Sequence, residues 1–212
     1  MASLSHYMDI CCGAPLNESP GDIAAAMSRA GIALHIVGVE LGSPLPIAFP
    51  VMSEERAWIG DVIRVFGTED VLHSVRTHRR MRDEVATDAL FMKAIQRVPE
   101  DAGHACYARD RRDVLTLAGL ERTERRLRKR IADGKSSLDE AALLRRRVEF
   151  AAKAGRTPQI PHLNFRSLSS QAEIGTGGRF KLFVSRSKAD ASRSGHFSTY
   201  GLGLGGATVP EF

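Results

Sequence analysis

Between His6 and Val98, four short apolar runs are separated by two stretches that carry helix-start signals. No other feature of the chain restricts its fold as much. The runs are HYMDIC at 6–11, then 45–51, 62–66 and 89–98. Ser19-Pro20-Gly21-Asp22 opens the first helix: Ser19 can cap, Pro20 fits the first helical position, and Asp22 suits the positive N-terminal end. Ile23, Met27, Ala30 and Leu34 then recur at helical spacing and form a stripe that must be buried. Gly31 weakens this helix without forbidding it. Gly67-Thr68-Glu69-Asp70 supplies a stop and a second cap, with a helix from there to about Met81. The order β-α-β-β-α-β implies a ferredoxin-like unit of four antiparallel strands with two helices on one face.

The character changes after Pro99-Glu100-Asp101. A helix is expected over 117–133, stopped by Gly134, and a second over 137–154, where Ser137 and Glu140 make a capping box. Three strand-like pieces follow at 161–167, 179–186 and 197–202, with Gly175, Gly177 and Gly178 in a loop between the first two. The Gly-rich tail is expected to lie against the fold. The expected class is therefore α+β. Residues 1–100 form the ferredoxin-like domain, and 101–212 a C-terminal α/β domain.

The chain of 212 residues carries a net charge of +5, and that charge is concentrated. Arg29 is the only basic residue in the first 55 positions, whereas arginines crowd 109–147. On a helix over 117–133, Leu120, Leu127 and Ile131 share one side. Arg122, Arg125, Arg126, Lys129 and Arg130 fall on the opposite side. Solvated helices interleave opposite charges at i, i+4. Five cations on one face repel each other unless an anion covers them, so a nucleic acid is the expected partner. A surface helix that is merely basic remains the alternative.

Aromatic content of 6% argues against wide stacking platforms. Three cysteines, two of them adjacent, make neither a disulfide framework nor a zinc pattern. Apolar runs are interrupted before the roughly 20 residues of a membrane span. The first residues lack a basic, then apolar, leader. The expectation is a cytoplasmic protein with no metal, no cofactor and no membrane contact.

Across nearly the whole chain the sequence resembles the type I-F CRISPR repeat-cleaving endoribonucleases. The resemblance rests on the opening strand His6–Ile10, the first helix with Leu34-His35, and Phe49-Pro50. RRLRKR at 125–130 follows. Then come Pro161…Arg166-Ser167-Leu168-Ser169, Phe180-Lys181-Leu182-Phe183, Phe197…Tyr200-Gly201-Leu202 and Val209-Pro210-Glu211-Phe212. It implies metal-independent cleavage of the guide-RNA precursor at the base of a repeat hairpin. The neighbouring 2′-hydroxyl attacks, leaving a 2′,3′-cyclic phosphate and a 5′-hydroxyl. The protein would then stay on the 3′ hairpin of the mature guide RNA as a subunit of a type I-F surveillance complex, or of a guide-directed transposition complex.

The same resemblance assigns residues. His35, placed at the end of the first helix, Ser167 and Tyr200 take the catalytic positions, with a core tyrosine as the alternative for Tyr200. A histidine suits base chemistry because its ordinary pKa lies near neutrality. Ser169 would contact phosphate, and Phe180 would stack on the terminal base pair. Arg109 and Arg111 would read base edges. The family typically has Arg then Gln there; the arginine at 111 favours guanine. The cationic face of 122–130 would hold the stem. It is shorter than in many members, because Ala132-Asp133-Gly134 follows it. A non-cleaving hairpin cap of a guide-RNA complex and an unrelated basic duplex-binding protein stay open as alternatives.

Overall fold

The computed structural model describes residues 4–13, 20–87, 89–110, 117–135, 139, 142, 143, 145, 147, 149, 160–166 and 179–212. The chain divides into two compact units: Met1–Asp110 with Ile160–Phe212, and Arg111–Gln159. The division expected from the sequence falls instead at residue 100, between a ferredoxin-like domain and a C-terminal α/β domain.

In the larger unit, β1 (His6–Cys12) is flanked by β3 (Val62–Gly67) and by two short strands, β4 (Leu90–Met92) and β5 (Gln96–Arg97). β2 (Ile47–Ala48) extends the other side, so the antiparallel order is β2-β3-β1-β4. The alternation of β1 and β3 explains the pairing. Met8, Ile10, Ile63 and Val65 all point inward and are fully buried. On the other face Asp9 stands opposite Arg64. Arg64 donates from Nε at 2.7 Å and from Nη2 at 3.1 Å to the two carboxylate oxygens. Its guanidinium also lies 4.5 Å from the Tyr7 ring and 4.1 Å from the Phe212 ring, and donates to the Phe212 carbonyl. The tail thus lies against the fold.

A second antiparallel sheet has the order β11-β6-β8-β7. Its strands are β6 (Gly103–Arg109), β7 (His162–Arg166), β8 (Arg179–Ala189) and β11 (Val209–Glu211). A two-stranded ribbon pairs β9 (His196–Phe197) with β10 (Gly203–Leu204). One hydrophobic core spans both sheets. Helix α1 (Pro20–Glu40) crosses it, with Met27, Ala30 and Leu34 of the expected stripe buried, Ile23 only half-buried, and Val37 buried as well. Burying Met27, Leu34 or Val37 is worth roughly 1.5–3 kcal/mol each. By length and composition α1 would pass as a membrane span, contrary to the expectation of interrupted runs. Its buried stripe and its packing on β1, β3 and β7 make it the core helix of this fold.

The structure corrects several boundaries. α1 continues five residues past His35. It stops where Ser43 N–H donates to Gly38 O and Gly42 N–H to Val39 O, with Gly42 at φ +68°. That is a Schellman stop, so Gly42 was the signal. The helix expected over 69–81 is two: α2 (Glu69–Thr77) and α3 (Arg79–Val85). His78 breaks it with ψ 133°, while its side chain accepts from Arg80 N–H and meets Glu40 at 2.9 Å. The strand expected over 89–98 is split into β4 and β5, and that over 45–51 shrinks to β2. The run 197–202 is not one strand but the edge and turn of the β9–β10 ribbon.

The smaller unit contains α4 (Leu117–Ala132), which ends on a second Schellman pair, Lys135 N–H to Arg130 O and Gly134 N–H to Ile131 O. Of the expected helix 137–154, the described positions 142, 143, 145, 147 and 149 are helical, and Asp139 accepts a capping bond from Ala142 N–H. Its other positions, including Ser137 and Glu140, lie outside the described residues.

Candidate active site

His35 sits one step round α1 from the buried stripe, so its ring is only half-buried. The turn between β9 and β10 closes over it. Nδ1 of His35 lies 2.8 Å from the Thr199 carbonyl oxygen. A carbonyl can only accept, so Nδ1 carries the proton, and in the neutral ring the lone pair belongs to Nε2. The Tyr200 ring stacks on the imidazole, with centroids 4.4 Å apart and planes 25° apart.

Local sequence explains this turn. Ser198 N–H donates to Leu202 O at 2.8 Å, and Leu202 N–H donates to Ser198 Oγ at 3.2 Å. Gly201 has φ +76°, and a Cβ there would overlap the Leu45 carbonyl oxygen. Only glycine fits both demands. Its own carbonyl accepts from Ile47 N–H at 3.0 Å, which ties the turn to β2. Leu202 is fully buried beneath.

Behind Tyr200 lie Phe165, at 5.2 Å between centroids, and Phe180, at 6.2 Å. Phe165 belongs to β7, the strand that runs into Ser167. β7 is held against α1 in two ways. Ser28 Oγ accepts from Asn164 N–H at 2.9 Å. Gly31 lets Leu163 and Phe165 approach to within 3.1 Å of where a Cβ would stand. The glycine that weakens the helix therefore brings the strand close.

Of the expected site residues, His35, Tyr200 and Phe180 come together in this one cluster. Ser167, Ser169 and Arg111 lie outside the described residues. Arg109 is exposed at the end of β6, opposite Val184 of β8. In α4, Arg125, Arg126, Lys129 and Arg130 are exposed, while Leu127 and Ile131 are half-buried. The backbone of Arg122 is helical. Arg128, off the cationic face, meets Glu124 at 3.0 Å, and Arg147 lies 3.8 Å from the same carboxylate.

A protein-family sequence model described as CRISPR-associated protein (Cas_Csy4) matches residues 21–212. This chain belongs to the Cas_Csy4 family. The family acts on CRISPR repeat RNA as endoribonucleases that process guide RNA, and it binds that RNA within a CRISPR complex. No curated protein matches the sequence.

In this Cas_Csy4 chain, two features of the site had no sequence signal strong enough to find them. The Thr199 carbonyl is a backbone atom 164 residues from His35. Phe165 looks like any strand aromatic until Tyr200 is placed beside it. Among the described residues, no three His, Cys, Asp or Glu side chains converge to hold a metal ion.

Proposed function

We propose that this Cas_Csy4 protein cleaves the repeat RNA at the base of its hairpin by transesterification within the RNA strand, without a metal ion. The observation that carries the reading is the hydrogen bond from His35 Nδ1 to the Thr199 carbonyl, because in the neutral ring it assigns the lone pair to Nε2. In this scheme Nε2 takes the proton of the 2′-hydroxyl. The 2′-oxygen bonds to the scissile phosphorus, and the P–O5′ bond breaks. The products are a 2′,3′-cyclic phosphate and a 5′-hydroxyl, the leaving oxygen having gained a proton. Ser167 orients the attacking hydroxyl. Tyr200 keeps the imidazole plane fixed through stacking.

The work divides near residue 100. Residues 1–100 supply His35 on a ferredoxin-like frame, a reading supported by the antiparallel order β2-β3-β1-β4. Residues 101–212 supply the hairpin grip and the serine motif. Arg122, Arg125, Arg126, Lys129 and Arg130 hold the phosphates of the stem. Arg109 and Arg111 read base edges, Ser169 contacts phosphate, and Phe180 stacks on the terminal pair. After cleavage the protein stays in the cytoplasm on the 3′ hairpin of the guide RNA, as a subunit of a type I-F surveillance complex or of a guide-directed transposition complex.

The test uses one RNA. Purified protein is incubated with its repeat RNA in chelator, and the product ends are analysed. A 2′,3′-cyclic phosphate at the hairpin base is expected. Cleavage that vanishes with chelator overturns the mechanism. Intact RNA that still binds tightly replaces it with a non-cleaving cap.

A further inference from the structure

A groove of about 880 Å³ runs between α1 and the β7–β8 side of the second sheet, within the size range of ligand clefts, roughly 300–1,000 Å³. Ala25, Arg29 and Ile32 line it from the helix, and Asn164, Phe180 and Lys181 from the strands. Its aromatic wall is continuous with the active site, because Phe180 and the neighbouring Phe165 both touch Tyr200, which stacks on His35. None of the functions assigned above uses Ala25, Arg29, Asn164 or Lys181.

We propose that this groove holds an unpaired ribonucleotide of the substrate strand, on the side of the scissile phosphate away from the hairpin. The inference rests on the endoribonuclease reading of His35 and extends it to substrate choice. The chemistry of the lining selects the occupant. Phe180, which meets the terminal pair in the reading above, gives a base in the groove the other side of its ring to stack on. Asn164 is exposed at the rim and offers both a donor and an acceptor to a base edge. Lys181 is exposed beside it, and so is Arg29, whose Nε faces Glu84 at 3.4 Å; both cations can meet a phosphate. Among the described residues, no carboxylate lines the groove. Apolar floor, amide edge and cationic rim together suit a single unstacked nucleotide, the form in which RNA bases are most readily read. The small side chain of Ala25 keeps the helix wall open.

The experiment compares two hairpin RNAs bound by the full chain, both with a 2′-deoxy nucleotide at the cleavage position. One ends at that position, and the other carries three further unpaired nucleotides. The unpaired tail should tighten binding by roughly tenfold, the worth of one stacked base. Ala25→Trp, which fills the groove from an exposed helix position, and Lys181→Ala should each remove most of that gain. Both should leave the affinity for the tailless hairpin within about twofold of wild type, on the same scale. A tail that adds nothing overturns the proposal. So does a gain that survives Ala25→Trp, or an equal loss on both RNAs. A short unpaired oligonucleotide serves as the second probe. If it binds the wild type and not Ala25→Trp, the groove stands even where a native hairpin is left uncleaved. Failure of the cleavage reading is thus seen separately.

Discussion

His35 and the arginine helix solve opposite problems. His35 is fixed by groups distant in sequence: the Thr199 carbonyl, the Tyr200 ring and a turn anchored on β2 through Gly201. The cations of α4 are presented by helical periodicity alone. Arg125, Arg126, Lys129 and Arg130 stand in water, and the nearby carboxylate, Glu124, is engaged by Arg128 and Arg147. Chemistry on one proton needs a base held in a single orientation. Holding a polyanion needs charge density, which tolerates side-chain motion. On the proposed function, the base is the part tied down by distant partners and the cations of α4 are the part left exposed.

Substitutions should separate the two regions cleanly. The largest effect belongs to His35→Ala, which should slow cleavage by about a thousandfold. Its hairpin affinity, measured by filter binding, should be unchanged; full activity in this variant sinks the assignment. Next comes charge reversal at Arg125 and Arg126 together. Hairpin affinity should fall roughly a hundredfold at low salt, with a shallower salt dependence. Single-turnover cleavage at saturating RNA should stay near wild type. An unchanged salt slope would show that α4 does not meet phosphate.

Gly201→Ala should lower stability by about 1–3 kcal/mol in denaturant unfolding, because φ +76° and the Leu45 carbonyl both reject a Cβ. It should also slow cleavage while leaving the exposed cations of α4 untouched. A variant as stable and active as wild type would mean the turn does not hold the histidine. The smallest effect is expected for Tyr200→Phe, which keeps the stacked ring. Cleavage within about threefold of wild type is the outcome for a positioning ring. A loss approaching that of His35→Ala would give the tyrosine hydroxyl a chemical role.

What the residues disclosed beforehand follows the range of the forces involved. The α1 stripe and the cationic face of α4 depend on neighbours three or four positions apart, so both could be read directly. The resemblance ends α1 at Leu34-His35, whereas the stop is set by Gly42, whose positive φ closes the helix. β6 escaped notice because GHACYAR has weak strand character alone; it becomes a strand through β8 on one side and β11 on the other. The run 197–202 has strand-like composition, and only the Ser198 and Gly201 bonds reveal a turn. His35 could be nominated by family resemblance, but its tautomer could not, since that depends on the Thr199 carbonyl.

The long separation between His35 and Thr199 also sets the order of events during synthesis. A ribosome adding about 5–20 residues per second delivers Thr199 on the order of 10–30 s after His35. In the later part of that interval, once Ala132 has been added, the sequence of the basic helix is on the nascent chain while the imidazole has no carbonyl to orient it. On the proposed function, a growing polypeptide can therefore meet RNA, including its own messenger, before its base is oriented to cut.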